Sequence, residues 1–307
     1  MSQRLNLQNT PDPTAIEAER VRFSNRGVEL QGVVYKRADG GHVRPGVITA
    51  GAWTAVKEQM SGTYARELAL RGFTALAFDF TGWGESGGEL RFVEDPEVKT
   101  ADLHAAADYL AGRADVDAHD ITGLGICASS GYMAEVVADN RQLARLALVA
   151  PWLHDRSIAE EAYGGAASVA GLIQATEAAE GASDPLILTA ASLTDETAPM
   201  YGAPYYTERD RGLIPEFDNK FSVLTWKPWL TYDGLASAER MTKPVLMVGS
   251  PSMALPVGAE AYERRTKAPL SKVWLGEDVS QFDFYDQADV VEVATDAVAR
   301  FVRGEGS

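Results

Sequence analysis

One cysteine lies in the stretch with the clearest chemical pattern, Gly125-Ile126-Cys127-Ala128-Ser129-Ser130-Gly131. A buried strand is predicted before it and a helix after it, and small residues lie two positions before and two after Cys127. A nucleophile elbow has this form, because a tight strand-to-helix turn needs small neighbours and presents one side chain above the sheet. The following helix N-terminus favours a thiolate, so we expect a lowered thiol pKa. The amide of Ala128 then points to where an oxyanion forms. The alternative is a buried structural cysteine.

Few residues can serve as a general base for this cysteine, because the chain has four histidines. Three of them are predicted on the surface: His42, His104 and His119. His154 instead follows the apolar strand RLALVAPW, and ligands of α/β sheets bind at the carboxyl ends of strands. We therefore consider His154, oriented by Asp155, as a catalytic base, against the alternative of a histidine that anchors a cap. Asp79, at the end of the strand FTALAFDF, either lines the pocket or braces the Gly-rich loop after it.

Strands and helices alternate along most of the chain, which predicts a mostly parallel sheet covered by helices on both faces. Near the start, ERVRFSN and VELQGVVYKR flank Arg26-Gly27 and predict an antiparallel hairpin. The alternation stops after RLALVAPW and resumes at KPVLMVGS. Loops as long as the intervening segment are usually functional, often lids. We predict a loose segment over residues 1–18, a core over residues 19–154 and 241–307, and a cap over residues 155–240.

Aromatic residues are concentrated in the predicted cap. Such residues line an apolar pocket, pack the cap onto the core, or form the face of a homodimer. We predict that four of them bind substrate: Tyr201, Tyr205, Trp226 and Trp229.

The composition limits the possible partners. The formal charge is −16 and no run of Lys or Arg occurs, which disfavours nucleic acids and anionic membrane surfaces. The longest apolar stretch, Leu146 to Leu153, is far shorter than a membrane-spanning helix. The N-terminus has no apolar signal region, and a lone cysteine suits a reducing compartment. We expect a cytoplasmic protein that uses neither a metal nor a cofactor. Its substrate is expected to be a small molecule with an acyl or carbonyl group that is sizeable, neutral and partly apolar.

Four segments carry a family resemblance that extends from about Val21 to Phe301: AVKEQ, AFDFTGWGESGGE, GICASSGY and FDFYD. On these segments the sequence resembles α/β-hydrolases of the dienelactone-hydrolase-like branch, which includes uncharacterised bacterial hydrolases and fungal polyketide transferases. The resemblance implies the α/β-hydrolase fold, with a mostly parallel eight-stranded sheet, a helical cap and Cys127 as nucleophile. It also implies that the loop at Ala52 and Trp53 supplies the second oxyanion amide.

The chain departs from this family at the two other triad positions. The family's acid follows the strand that matches KPVLMVGS, where this chain has Ser250 and no carboxylate. The family's histidine precedes FDFYD, where this chain has Gln281, and no histidine follows His154. We expect Gln281 to lie near Cys127 and to form hydrogen bonds, since glutamine does not transfer protons at neutral pH.

These observations favour an enzyme that attacks an ester, thioester or lactone through Cys127, by hydrolysis or acyl transfer. Without the usual base, hydrolysis of a thioester intermediate is expected to be slow, and transfer to an amine or thiol is then favoured. Two alternatives stay open. One is a lyase, isomerase or cyclase on the same fold, and the other is a binding protein that has lost catalysis.

Overall fold

The computed structural model describes residues 15–305 and contains an eight-stranded, mostly parallel sheet. The predicted sheet is confirmed, and its strand order is β1-β2-β4-β3-β5-β6-β11-β12. In chain order the strands are β1 (Ile16–Asn25), β2 (Val28–Arg37), β3 (Arg44–Ala50), β4 (Thr74–Phe78), β5 (Val116–Ile126), β6 (Leu143–Val149), β7 (Ile187–Thr189), β8 (Ala191–Ser192), β9 (Met200–Tyr201), β10 (Lys220–Ser222), β11 (Val245–Gly249) and β12 (Leu270–Trp274).

Ten α-helices are found among residues 15–305. Four of them cover the two faces of the sheet. α1 and α10 pack together on one face, while α2 and α3 pack together on the other. In chain order the helices are α1 (Met60–Leu70), α2 (Pro96–Ala111), α3 (Ser129–Asp139), α4 (Arg156–Ala162), α5 (Ala166–Ala179), α6 (Pro204–Thr207), α7 (Trp226–Thr231), α8 (Pro256–Arg265), α9 (Asp283–Asp286) and α10 (Ala288–Arg303).

The N-terminal hairpin forms as predicted. β1 and β2 are antiparallel from Ile16↔Arg37 to Asn25↔Val28. The turn residues Arg26 and Gly27 have φ values of +48° and +84°. Two positive φ values are what a two-residue type I′ turn requires, and such a turn matches the twist of the flanking strands. β2 then pairs antiparallel with β4, and the remaining neighbours in the sheet are parallel.

The sheet begins earlier than the sequence suggested. β1 already includes residues 16–18, which were expected in the loose segment of residues 1–18. These residues pair with the end of β2, so backbone hydrogen bonds order them. Residues 1–14 of that predicted segment lie outside the described residues.

The central strands and α10 show why this sequence forms buried parallel structure. All five residues of β4 and all five of β11 are buried, as expected for strands covered on both faces. α10 places Val290, Val291, Ala294 and Val298 along one buried stripe with helical spacing. The helix ends at Gly304, whose φ of +68° is the left-handed conformation that favours glycine at this position.

The segment between β6 and β11 contains α4 to α7 and four short strands. β10 pairs with β7 in antiparallel fashion, and β8 pairs with β9 in parallel fashion. The segment is therefore mixed and not only helical. We keep the name cap for residues 155–240, and the division into core and cap remains our proposal. Among residues 15–305, no helix combines the length and the apolar character needed to cross a membrane.

Candidate active site

Cys127 occupies the turn between β5 and α3, and its backbone has a left-handed φ of +54°. Left-handed backbone is rare for residues other than glycine and occurs at strained functional turns. The tight turn explains Gly125, because a Cβ there would lie 2.7 Å from the carbonyl oxygen of Ser129 and from the Cα of Ser130. The amide of Cys127 donates to Val149 O at 3.1 Å, which ties the turn to the end of β6.

The thiol of Cys127 is buried, and three neighbouring groups act to lower its pKa. They are the backbone amides of Ala128 and Trp53 and the hydroxyl of Tyr285, each of which favours the thiolate. Burial nevertheless raises the pKa of the Cys127 thiol, with a smaller contribution from the negative charge of Glu94. The expectation of a lowered thiol pKa is therefore wrong, because loss of hydration outweighs the donors around the sulfur.

Of the two loop residues predicted to supply the second oxyanion amide, only Trp53 has its amide at the thiol. The amide of Trp53 faces the thiol together with that of Ala128. The amide of Ala52 instead donates to the Sδ atom of Met60 at 3.4 Å. Ala52 is thus corrected to a residue that anchors the loop to α1, and the amide pair at the site belongs to Trp53 and Ala128.

Gln281 lies in the same pocket as Cys127, where the family resemblance implied a histidine. Its Nε2 donates to Ala150 O at 3.0 Å and to the Tyr285 hydroxyl at 2.9 Å. Its Oε1 accepts from the amide of Ala254 at 2.9 Å. The side chain is therefore held by neutral hydrogen bonds. Ser250 at the acid position donates to Val279 O at 2.6 Å, in the loop that leads to Gln281.

His154 is buried and has both ring nitrogens occupied. Trp152 Nε1 donates to Nδ1 at 3.2 Å, so Nε2 carries the proton and donates to Trp229 O at 2.9 Å. Burial lowers the pKa of His154, which favours the neutral ring. Its carbonyl also accepts from the amide of Gly234 at 2.8 Å. These contacts argue against a catalytic base and instead join the core to the cap.

Asp79 is buried beneath the Gly-rich loop and does not line the cavity at Cys127. One carboxylate oxygen accepts from the Lys57 amide and the other from Lys57 Nζ, both at 2.7 Å. The amide of Glu85 also donates to it, at 2.9 Å. With its acceptor sites used in this way, Asp79 is corrected from a candidate catalytic residue to a brace of the loop.

The four aromatic residues predicted to bind substrate have different environments. Trp229 lines the cavity. Trp226 lies one layer behind it, packed against Trp53 at 5.8 Å between ring centroids. Tyr205 packs against Tyr285 at 5.1 Å, and Tyr201 is 49% exposed, so neither reaches the cavity. The sequence of the cap did not distinguish residues that line the cavity from residues that support it, because this depends on how the cap elements pack against each other.

The cavity beside Cys127 has a volume of about 300 Å³. It lies at the carboxyl ends of five sheet strands, where cap residues close over it. Sequence reasoning missed several of its large side chains: Trp152, Tyr163, Met200, Tyr206, Phe282 and Tyr285. The sequence did contain an indication for Tyr285. It lies in the segment FDFYD, four residues after Gln281, and residues four apart on a helical turn lie on the same side.

The chemistry available in this cavity is restricted by its lining. Within residues 15–305, the lining contains no His, Asp, Glu, Lys or Arg side chain, so its ionisable groups are the Cys127 thiol and tyrosine hydroxyls. Burial raises the pKa of Tyr285 well above its ordinary value, so this hydroxyl donates hydrogen bonds and stays protonated. In the same described part of the chain, no three His, Cys, Asp or Glu side chains are arranged to hold a metal ion.

No protein-family model matches this chain. The uncharacterized protein YcjY of Escherichia coli is 27% identical to it over 98% of both chains. Uncharacterized protein PA2218 of Pseudomonas aeruginosa is 38% identical over 135 residues, which are 43% of this chain and 36% of that protein.

The solved structure of hypothetical protein PA2218 covers 99% of this chain and 100% of its own, with 24% identity and a TM-score of 0.83. Alpha/beta hydrolase GrgF from Penicillium sp. sh18 covers 94% of this chain and 99% of its own, with 20% identity and a TM-score of 0.77. Acetyl xylan esterases share the architecture at 15% identity or less. These likenesses, together with the sheet order described above, show that the chain adopts the α/β-hydrolase fold.

Proposed function

We propose that this protein is an acyl-group enzyme in which Cys127 attacks the carbonyl carbon of a thioester or an activated ester. The observation that carries the proposal is the convergence of a left-handed elbow, two backbone amides and an apolar cavity on one thiol. Hydrolases and esterases among the proteins of this fold support acyl chemistry in general. The cysteine at the elbow supports the finer placement in the dienelactone-hydrolase-like branch.

The first step forms an acyl-enzyme. The Cys127 thiol loses its proton to water, and the thiolate sulfur bonds to the carbonyl carbon. The π electrons of the carbonyl move to its oxygen, which the amides of Ala128 and Trp53 hold as an oxyanion. The oxyanion then collapses, the bond to the leaving group breaks, and the leaving group takes the electron pair.

The absence of a proton donor of ordinary acidity in the lining favours leaving groups that depart as anions. Thiolates and phenolates do so, whereas alkoxides and amines need a proton from an acid. The described lining offers tyrosine hydroxyls and no carboxylic acid or imidazolium. Thioesters and activated esters are therefore better substrates for this site than alkyl esters or amides.

The second step is expected to limit the rate. Water needs a general base to attack a thioester, and Gln281 stands where the family resemblance implied the histidine. An amine or thiol acceptor is a stronger nucleophile than water and depends less on that base. The site therefore favours transfer of the acyl group over its hydrolysis.

The lining also limits the acyl group itself. Trp229, Trp152 and Phe282 present apolar surface, and no charged side chain of the described lining compensates an anion. The net charge of −16 further disfavours anionic substrates. A neutral, apolar acyl group that fits a cavity of about 300 Å³ satisfies these conditions.

The test follows acylation and release separately. The purified protein is mixed with p-nitrophenyl acetate, nitrophenolate release is followed by absorbance, and the protein is weighed by intact mass spectrometry. We expect a burst of one nitrophenolate per chain, a slow phase after it, and one added acetyl group on Cys127. Cysteamine, which carries a thiol and an amine, should accelerate the slow phase.

Two comparisons make the result decisive. Ethyl acetate carries the same acyl group with a poor leaving group and should give no adduct. Cys127→Ala should retain the fold and lose the burst. Rapid turnover without an adduct would contradict the proposed intermediate, and the absence of both burst and turnover would favour a non-hydrolytic enzyme or a binding protein.

A further inference from the structure

A buried ion pair contacts the loop after β3 that contains Ala52, Trp53 and Thr54, which we call the oxyanion loop. Lys99 Nζ donates to Glu94 Oε1 at 2.7 Å, and both side chains are almost completely inaccessible, at 1% and 0% exposure. The ammonium group also lies over the rings of Phe80 and Trp83, at 4.6 and 5.2 Å from their centroids. Neither Glu94 nor Lys99 lines the cavity, so the mechanism above does not use them directly.

Glu94 connects three parts of the chain that meet at the site. Its Oε2 accepts from the amide of Thr54, in the oxyanion loop, at 3.2 Å. Its Oε1 also accepts from the hydroxyl of Tyr132 at 3.0 Å, and Tyr132 belongs to the helix that starts after Cys127. The backbone amide of Glu94 donates to Thr225 Oγ1 in the cap at 2.9 Å. One side chain thus contacts both the oxyanion loop and the nucleophile helix.

The conformation held by this carboxylate is an unfavourable one. Thr54 has a φ of +62°, and a β-branched residue in the left-handed region is a clear outlier. Such a conformation persists only where surrounding contacts determine it. The amide of Thr54 faces Glu94, while the preceding amide, of Trp53, faces the thiol. The hydrogen bond to Glu94 therefore fixes the turn that aims the Trp53 amide.

A buried ion pair is a poor source of stability, because desolvation of two charges consumes most of the Coulomb energy between them. The carboxylate of this pair also accepts a hydrogen bond from the strained oxyanion loop, which indicates a role in positioning that loop. We propose that Glu94 is a positioning residue that holds Thr54 so that the Trp53 amide stabilises the oxyanion formed at Cys127. This inference rests on the proposed acyl chemistry.

Two reactions of the same thiol separate positioning from general structural damage. Acylation by p-nitrophenyl acetate develops an oxyanion, whereas alkylation by iodoacetamide does not. Both need the thiolate, so the ratio of their second-order rate constants at one pH removes the effect of thiolate population. A variant that only loosens the fold changes both rates, while a misplaced oxyanion amide lowers the ratio.

Two double variants differ in the acceptor alone. Glu94→Leu with Lys99→Met removes both charges and the acceptor, and we expect the ratio to fall about tenfold to hundredfold. Glu94→Gln with Lys99→Met also removes both charges but retains an amide oxygen for Thr54, and should stay within about threefold of the native ratio. Equal ratios in these two variants and the native protein would overturn the inference.

A third variant keeps the inference testable if the leucine variant does not fold. Glu94→Asp retains the charge and the Lys99 partner but shortens the reach by one methylene, so the ratio should fall about threefold to tenfold. An unchanged ratio in this variant contradicts positioning by Glu94. Asp102→Asn is the matched control, since Asp102 is a buried carboxylate on α2, the helix that follows Glu94, and it binds Thr81 and not the oxyanion loop.

Measurements on the native protein separate a failure of the proposed function from a failure of the role of Glu94. Alkylation of Cys127 without any acylation would overturn the proposed function and this inference with it. Acylation of the native protein, with the same ratio in Glu94→Asp and in the leucine variant, would overturn only the role of Glu94.

Discussion

The cavity has one side at the ends of β3 and β5 and another at the ends of β11 and β12. The first side presents the Cys127 thiol with the amides of Trp53 and Ala128. The second side presents Gln281, with Ser250 behind it, where the family resemblance implied a histidine and an acid. In the mechanism we propose, the first side performs attack and oxyanion binding, while the second side offers neutral hydrogen-bonding groups.

If the proposed function holds, the difference means that nucleophilic attack and proton transfer are separable in this fold. The nucleophile and its amides arise from backbone geometry, which the elbow and the strained loop maintain. Proton transfer depends on side chains that change without disturbing the sheet. The polar atoms of the Gln281 and Ser250 side chains all have hydrogen-bond partners. The second side is therefore well packed although it has no base.

The largest expected effect comes from Cys127→Ser. A serine hydroxyl needs a base to become a nucleophile, and the second side of the cavity provides none, so acylation should fall about a thousandfold or more. Burst kinetics with p-nitrophenyl acetate measure it, and circular dichroism checks the fold. A serine variant that remains comparably active would break the comparison, since it would reveal a base that serves the elbow.

The next largest effect should come from introducing the histidine and the acid that the family resemblance implied at positions 281 and 250. Gln281→His should speed release of the acyl group, and Gln281→His with Ser250→Asp should exceed it and reach about tenfold to hundredfold over the native rate. The carboxylate orients the imidazole, which explains the advantage of the double variant. The slow phase after the burst is the measurement. Ser250→Asp alone is the control and should give no gain, because it has no imidazole to orient.

A smaller effect concerns the pH dependence of the native thiol. Burial disfavours the thiolate, so Cys127 is protonated at neutral pH and its alkylation by iodoacetamide should rise about tenfold per pH unit. The rise should continue beyond about pH 8.5, the ordinary value for cysteine. Tyr285→Phe removes a donor to the thiolate and should move the profile further upward. A plateau near neutral pH would instead indicate an activated thiol.

The smallest effect compares two glycines. Gly125→Ala places a methyl group 2.7 Å from backbone atoms of the elbow and should lower the free energy of unfolding by about 1–3 kcal/mol. Gly171→Ala, inside α5, meets no atom within 4 Å and should raise that free energy by up to about 1 kcal/mol. Urea denaturation measures both. Equal stability of the two variants would mean that the elbow relaxes, and that the first side is less rigid than its geometry implies.

Local patterns in the sequence predicted a large part of the fold. The hairpin around Arg26-Gly27 follows from turn chemistry, and the buried strands follow from short apolar runs between helical stretches. The family resemblance predicted the eight strands and placed Gln281 beside Cys127. The mixed structure of the cap was not predicted, because its two-residue and three-residue strands are too short to produce a periodic pattern.

The candidate site was predicted in part. Cys127, Ala128 and Trp53 lie together, because their positions follow from an elbow and a strand end that are continuous in sequence, and their catalytic roles remain our proposal. Ala52 and Tyr201 point elsewhere, since a one-residue difference in a turn redirects an amide or a side chain. No sequence pattern indicated the role we propose for Glu94, which is 40 residues from Thr54 in the chain.

The sequence by itself determined the elbow, the alternation of strands and helices, and the lack of any histidine after His154. These are properties of local spacing and of composition. The tertiary structure alone decided the state of the thiol and the use of His154. Burial by distant residues raises the pKa of Cys127, and Trp229, 75 residues further along the chain, accepts the ring proton of His154. Solvation and hydrogen bonding depend on what surrounds a group in space, and long-range packing fixes those surroundings.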